Sequence, residues 1–175
     1  MPKPRNMLSD WDAPYIQALV RLIETQSKTT LAYWALDYAD RFVLPIWLAY
    51  DPEDMRPQQA LSAARLWLAG DIKLPQAKPA ILACHEAARA AEGYPAAQAA
   101  ARAIGQCSST IHSARHCIGL AAYGAIAIAY DHLGADTPWR SVEPYAAEVC
   151  GQMLAALQAV AVDSEPEPAK INWNC

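Results

Sequence analysis

The chain has 175 residues, of which 54% are hydrophobic, and a formal net charge of −4. This length suits one full hydrophobic core and therefore one domain, 1–175. The negative charge, without a basic stripe, argues against binding to a nucleic-acid backbone. Alanine makes up much of the apolar fraction, and the chain has only 7 glycines and 1 phenylalanine. We expect an all-α fold of about six to seven alanine-rich helices in a bundle or stack, since alanine favours helices that approach closely.

Residues 1–11 are rich in proline and polar side chains and predict a loose N-terminal arm. Residues 163–175 predict an extended C-terminal tail whose Ile171 and Trp173 dock back on the body. Between them, apolar periodicity, caps and prolines predict helices over 12–26, 27–50, 57–70, 75–92, 95–104, 110–133 and 139–162. The helix over 27–50 must bend at Pro45, because proline lacks a backbone donor. Whether helices 95–104 and 110–133 are continuous stays open, and helix 110–133, the most apolar, is the candidate central helix.

Membrane insertion and export are not indicated by the sequence. The longest apolar run, 117–130, is about 14 residues, shorter than the ~20 that a membrane-spanning helix needs. The N-terminus has no apolar segment of the signal-peptide type. The 5 cysteines form no CxxC pair, so we expect reduced, buried thiols and a cytoplasmic protein.

Charged residues stand inside two of the apolar helical runs. Asp37 and Arg41 are four residues apart and are predicted to pair along one helical face. With Arg56 and Arg65 they would form a buried network that joins helices 27–50 and 57–70 and fixes their register. A catalytic interpretation, with Asp37 as a base, is less favoured because no serine or cysteine stands in a nucleophile motif.

The histidines raise the question of a metal site. His112 and His116 stand at i and i+4 of one predicted helix, the spacing at which two ligands of a zinc ion share a face. A third ligand would have to come from His85 or Asp37, since the HExxH glutamate is missing. We expect no cofactor, and keep a divalent metal such as zinc on His112, His116 and His85 as the alternative. The favoured interpretation is a structural polar core cluster, with these members: Asp37, Arg41, Arg65, His85, His112 and His116.

A family resemblance extends from Thr30 to Tyr123. It is carried by the following residues: Trp34-Ala35, Asp37, Ala39, Arg41, Leu44-Pro45, Arg56-Pro57, Ala60, Ala63-Ala64, Trp67, Gly70, His85, His112, His116 and Ala121-Ala122-Tyr123. In these positions the chain resembles a bacterial family of putative immunity proteins, of the kind paired with polymorphic toxins. The resemblance implies an all-helical protein that neutralises a cognate toxin by direct binding and has no catalysis of its own.

Three hypotheses for function follow. In the leading one, the chain binds a toxin through the acidic turn, with these contact residues: Asp51, Glu53, Asp54 and Arg56. An ordinary solvated turn is the simpler interpretation of the same residues. The second hypothesis is a metal-dependent hydrolase of helical-bundle type that uses His112 and His116. The third is a helical scaffold or self-associating module, in which the alanine faces of helices 95–104 and 110–133 form a homo-oligomer.

Overall fold

A computed structural model describes residues 3–174 and places most of them in helices. The α-helices are α1 (Pro14–Ile23), α2 (Lys28–Tyr38), α3 (Leu44–Tyr50), α4 (Arg56–Leu68), α5 (Leu74–Ala90), α6 (Pro95–Ser109), α7 (Ala125–Leu133) and α8 (Trp139–Val160). A first π turn (Ala39–Val43) joins α2 to α3, and a 3-10 turn (Ala114–Ile118) and a second π turn (Leu120–Gly124) lead into α7. With α2 and α3 counted as one continuous helix, the described residues form seven helices and no strand, so the predicted all-α fold is confirmed. Residues 1, 2 and 175 of the predicted arm and tail lie outside the described residues.

Two helix boundaries follow from capping chemistry that the sequence displays. At the start of α2, the Ser27 hydroxyl accepts the backbone N–H of Thr30 at 3.2 Å, as an N-cap does. After α4, Gly70 has a φ of +81°, and the N–H of Asp71 donates to the Leu66 carbonyl at 3.0 Å. This is a Schellman termination, which needs the left-handed conformation that glycine adopts without strain.

The expected disturbance at Pro45 takes the form of the first π turn. The Leu44 N–H donates to the carbonyl of Ala39, five residues earlier, instead of the carbonyl four residues earlier. A proline ring collides with the carbonyl four residues before it. The widened turn directly before Pro45 relieves that collision and lets the helix continue to Tyr50.

The central helix is α6, which contacts α2, α3, α4, α5 and α7. The expectation that helix 110–133 is central was therefore wrong. Small side chains on several sides of α6 allow this close packing: Ala97, Ala99, Ala100, Ala101 and Ala103 are all buried. Since the chain itself covers these alanines, they do not offer the face that the homo-oligomer hypothesis required.

The predicted helix 110–133 is also broken at its start. The Ser109 hydroxyl donates to the Gly105 carbonyl at 2.7 Å, and the Thr110 hydroxyl donates to the Gln106 carbonyl at 3.4 Å. Such bonds compete with the main chain for the carbonyls at the end of a helix. The helix ends at Ser109, and the backbone is extended at Ser113, whose φ is −144° and ψ 126°, before the 3-10 turn begins.

The arm is docked on the body, which corrects the expectation of a loose segment. Leu8 is only 2% exposed, and its N–H donates to the Ala122 carbonyl at 2.8 Å. The Tyr130 hydroxyl donates to the Arg5 carbonyl at 2.8 Å. An arm with a buried leucine and two hydrogen bonds to the helices is part of the packed structure.

The tail after α8 is non-helical and folds back, as predicted for Ile171 and Trp173, which pack against the core. Gln26 holds it: the side-chain oxygen accepts the Val162 N–H at 2.8 Å, and the side-chain nitrogen donates to the Val162 carbonyl at 3.2 Å. The Gln26 carbonyl also accepts the Ala169 N–H at 2.8 Å. Over residues 3–174, none of the helices combines the length and the apolar character needed to cross a membrane.

Candidate binding surface

The turn between α3 and α4 lies beside the loop that precedes α6, and together they expose aromatic and acidic side chains. We define the turn surface as Tyr50, Asp51, Glu53, Met55 and Tyr94. The rings of Tyr50 and Tyr94 pack with their centroids 4.8 Å apart. Tyr94 is 59% exposed, Met55 41% and Tyr50 37%. Large side chains left this open are the type that contribute most to protein interfaces.

The turn itself is held by hydrogen bonds from both ends. The Asp51 carboxylate accepts the backbone N–H groups of Glu53 at 3.1 Å and Asp54 at 3.2 Å. The buried Trp47 indole N–H donates to the Asp54 carbonyl at 2.8 Å. Arg56 closes the turn with an ion pair to Asp54, whose shortest N–O distance is 2.6 Å. Hydrogen bonding to this guanidinium lowers the pKa of Asp54 from its ordinary value, so the carboxylate stays charged.

The four predicted contact residues are thus close together, but they differ in their surroundings. Asp54 and Arg56 satisfy each other, and Asp51 caps the turn. Glu53 is exposed and is the carboxylate of the set most accessible to a partner. Sequence reasoning missed the aromatic part of this surface, because Tyr94 is far from Tyr50 in the chain.

The predicted polar core cluster divides into two groups. In the first, Arg65 donates to Asp37 at 2.8 Å and is paired with Asp40 at 3.2 Å. The predicted link between helices 27–50 and 57–70 is therefore present through Arg65. The side chain of Asp37 is 64% exposed, however, so the expectation that this network is buried was wrong. The expected partner Arg41 lies instead over the ring of Phe42, 4.9 Å from its centroid. Arg41 lies within the first π turn, whose wider spacing removes the regular i, i+4 relation to Asp37.

The second group surrounds α6. The His116 Nδ1 is 2.8 Å from the Gln106 side-chain oxygen, and His85 packs so closely on Gly105 that a Cβ there would meet its ring. Burial is the main cause that lowers the pKa of both His85 and His116, and the positive charges near each ring add to it. Both rings are therefore favoured in the neutral form at physiological pH.

His112 does not belong to this group, and the helical face proposed for a metal is absent. His112 is exposed in the turn after α6, whereas His116 lies in the 3-10 turn. Within residues 3–174, no cluster of three or more histidine, cysteine or acidic side chains is arranged to hold a metal ion. The shared i, i+4 face assumed for His112 and His116 was wrong because the chain leaves the helix between Thr110 and Ala114.

Comparison with protein families places the chain in a known family. A model of the family described as "Imm-5 like putative immunity protein" matches residues 21–156, well over half of the chain. The chain belongs to this family. The match extends beyond the 30–123 stretch that carries the resemblance in the sequence. It runs from the end of α1 into α8 and includes the whole turn surface. No match was found among curated proteins or among solved structures.

Two glycines of this Imm-5-like chain shape the surroundings of α6. A Cβ at Gly119 would collide with the Gln106 side chain, just as one at Gly105 would collide with His85. An isolated glycine inside a helical pattern is a signal of close packing. Gly105 directly follows the alanine-rich run 96–104 and stands out in this way.

Proposed function

We propose that this Imm-5-like protein neutralises a cognate bacterial toxin in the cytoplasm by direct binding, without catalysis, and that the turn surface makes the contact. The observation that carries the choice of surface is the pair of exposed, mutually packed rings of Tyr50 and Tyr94 beside the acidic turn. Tyrosines with this exposure are typical anchors of protein interfaces.

Rigidity supports the same choice. The turn surface is fixed before any partner arrives, because Trp47 and Arg56 each hold Asp54, and Asp51 caps the turn. A surface that is already ordered loses little conformational entropy on binding, so more of its contact energy appears as affinity. An inhibitor that must hold a toxin firmly benefits from such a surface.

Charge indicates the character of the partner. Asp51 and Glu53 belong to the turn surface, and the whole chain has a net charge of −4. Complementary charge raises association rates and selects partners. We therefore infer that the toxin surface is basic around a pocket that receives Tyr94.

The test uses the full chain and the product of the gene that adjoins its own, the natural candidate for a cognate toxin. Calorimetric titration should give a saturable 1:1 complex, and growth protection should require stoichiometric amounts of the chain. Tyr94→Ala should weaken binding by about 30-fold, the effect of losing roughly 2 kcal/mol at an interface anchor. Glu53→Lys should slow association, most clearly at low salt.

Tyr33→Ala is the matched control, because Tyr33 is 44% exposed and lies on α2, outside the turn surface. Equal affinity of the Tyr94→Ala and Tyr33→Ala variants would rule out the turn surface as the contact. Protection by far fewer copies of the chain than of the toxin would instead rule out simple binding.

A further inference from the structure

An open cavity of about 650 Å³ is lined by side chains other than those of the turn surface. It is bounded by α1, by Gln106 near the end of α6, and by the 3-10 and second π turns. The arm and the tail contribute Trp11 and Trp173 to its walls. We call it the α1 cavity. Its volume is in the range of small-molecule sites, about 300–1,000 Å³.

Flat rings line the α1 cavity from three separate parts of the chain. Trp11 comes from the arm, Tyr123 from the second π turn and Trp173 from the tail. The Trp173 indole N–H donates to the Glu24 carboxylate at 2.8 Å, which fixes the position of the ring. Aromatic walls of this kind stack on planar ligand rings, and such stacking tolerates many ring types.

Two guanidinium groups stand at the cavity. Among the described residues, its lining includes Arg21, Arg115 and the carboxylate of Glu24. The Arg21 Nε–H donates to the Gln17 carbonyl at 3.3 Å, so the guanidinium is held at the wall. Guanidinium groups match the geometry of phosphate oxygens.

Two of the residues that line the cavity are packed tightly against each other. Gln106 and Gly119 both line it, and a Cβ at Gly119 would collide with the Gln106 side chain. The Gln106 oxygen is also bound to His116 Nδ1 at 2.8 Å, which places the His116 ring at the cavity wall. Polar groups at fixed positions between apolar walls are the usual composition of a ligand site.

We propose that the α1 cavity binds a small anionic ligand in which a phosphate is joined to a planar ring, as in a nucleoside monophosphate. The phosphate contacts Arg21, and the ring stacks on Trp173. This site is separate from the turn surface, since none of the turn-surface residues lines the cavity.

The experiment is calorimetric titration of the full chain with four probes: AMP, UMP, adenosine and inorganic phosphate. AMP and UMP are expected to bind at least tenfold more tightly than adenosine or phosphate, because only they engage both the rings and the guanidinium. Arg21→Gln should weaken AMP binding at least tenfold with an unchanged melting curve, since Arg21 is exposed. Trp173→Ala should weaken AMP and UMP alike.

Arg140→Gln on α8 is the matched control, since it removes a guanidinium that does not line the cavity. Retained AMP affinity in this variant and in Tyr94→Ala supports the proposal. Absence of AMP and UMP binding up to millimolar concentration overturns it, as does equal AMP affinity of the Arg21→Gln and Arg140→Gln variants. Phosphate binding as tight as that of AMP would overturn the role of the rings.

Discussion

A methyl group added at Gly105 is predicted to destabilise the fold while His85 is present. A Cβ built at Gly105 would lie 2.5, 2.7 and 2.9 Å from three atoms of the His85 ring. Forcing extra volume into a packed site costs typically 1–3 kcal/mol, about 2 as a central value. Replacing glycine by alanine inside a helix returns about 1 kcal/mol. Gly105→Ala should therefore lower the free energy of unfolding by about 1 kcal/mol.

Removing the ring should reverse the sign of this effect. In a His85→Ala background the added Cβ meets no ring, so Gly105→Ala should raise the free energy of unfolding by about 1 kcal/mol, the helix-propensity gain alone. The coupling between the two positions would then be about 2 kcal/mol. Gly151→Ala on α8, where an added Cβ has nothing within 4 Å, should stabilise by the same ~1 kcal/mol with or without His85.

The measurement is urea unfolding followed by circular dichroism, with free energies obtained by linear extrapolation for all six chains. These are the parent, Gly105→Ala and Gly151→Ala, each with and without His85→Ala. A stabilising Gly105→Ala in the parent would refute the close packing of His85 on α6. A coupling energy near zero between positions 85 and 105 would also refute this close packing.

Three further outcomes are expected. Because Arg56 lowers the pKa of Asp54, the Asp54 carboxylate stabilises the fold above its unfolded-state pKa of about 3.9. This stabilisation is lost as the pH falls through the pKa of Asp54 in the folded state. The difference in the free energy of unfolding between the parent and Asp54→Asn, measured in urea titrations, should therefore shrink from pH 6 towards pH 2. Gln26→Ala should cost about 1–3 kcal/mol, since it removes the two side-chain hydrogen bonds to Val162, and should speed proteolysis of the tail. Burial raises the pKa values of four thiols, so they should resist native-state alkylation and react on unfolding: Cys84, Cys107, Cys117 and Cys150.

Much of the fold could be predicted because its determinants are local. Ser27 as a cap and Gly70 as a terminator act on the turn in which they stand, so a single sequence reveals them. Pro144 lies inside the last helix, and α8 is nevertheless continuous from Trp139 to Val160. It stands in the second turn of α8, so the carbonyl it would displace is that of Arg140 near the helix start.

The break after α6 could not be read from apolar periodicity. Residues 110–133 are apolar enough for one long helix, and the competition from the Ser109 and Thr110 hydroxyls depends on their rotamers. With the helix assigned as continuous, His112 and His116 fell on one face, and a metal hypothesis followed. The error at the site was thus inherited from an error in one helix boundary.

Partners distant in sequence explain the remaining differences at the site. The pairing of Arg65 with Asp40 crosses from α4 to the first π turn, and Tyr94 reaches Tyr50 from another loop. Neither contact has a signal in the spacing of residues along the chain. The acidic turn was predicted because it is a local feature, whereas its aromatic half required the fold.

The first π turn has a consequence for how the length of this protein can vary among homologous chains. Each residue of a regular helix turns it by about 100°, so a deletion within α2 or α3 would rotate Trp47 away from the core. The π turn Ala39–Val43 contains one residue more than a regular turn. A deletion there would leave both flanking faces in phase, although it would return Pro45 to its collision with the preceding turn. Homologues one residue shorter in this segment should therefore have lost the proline as well.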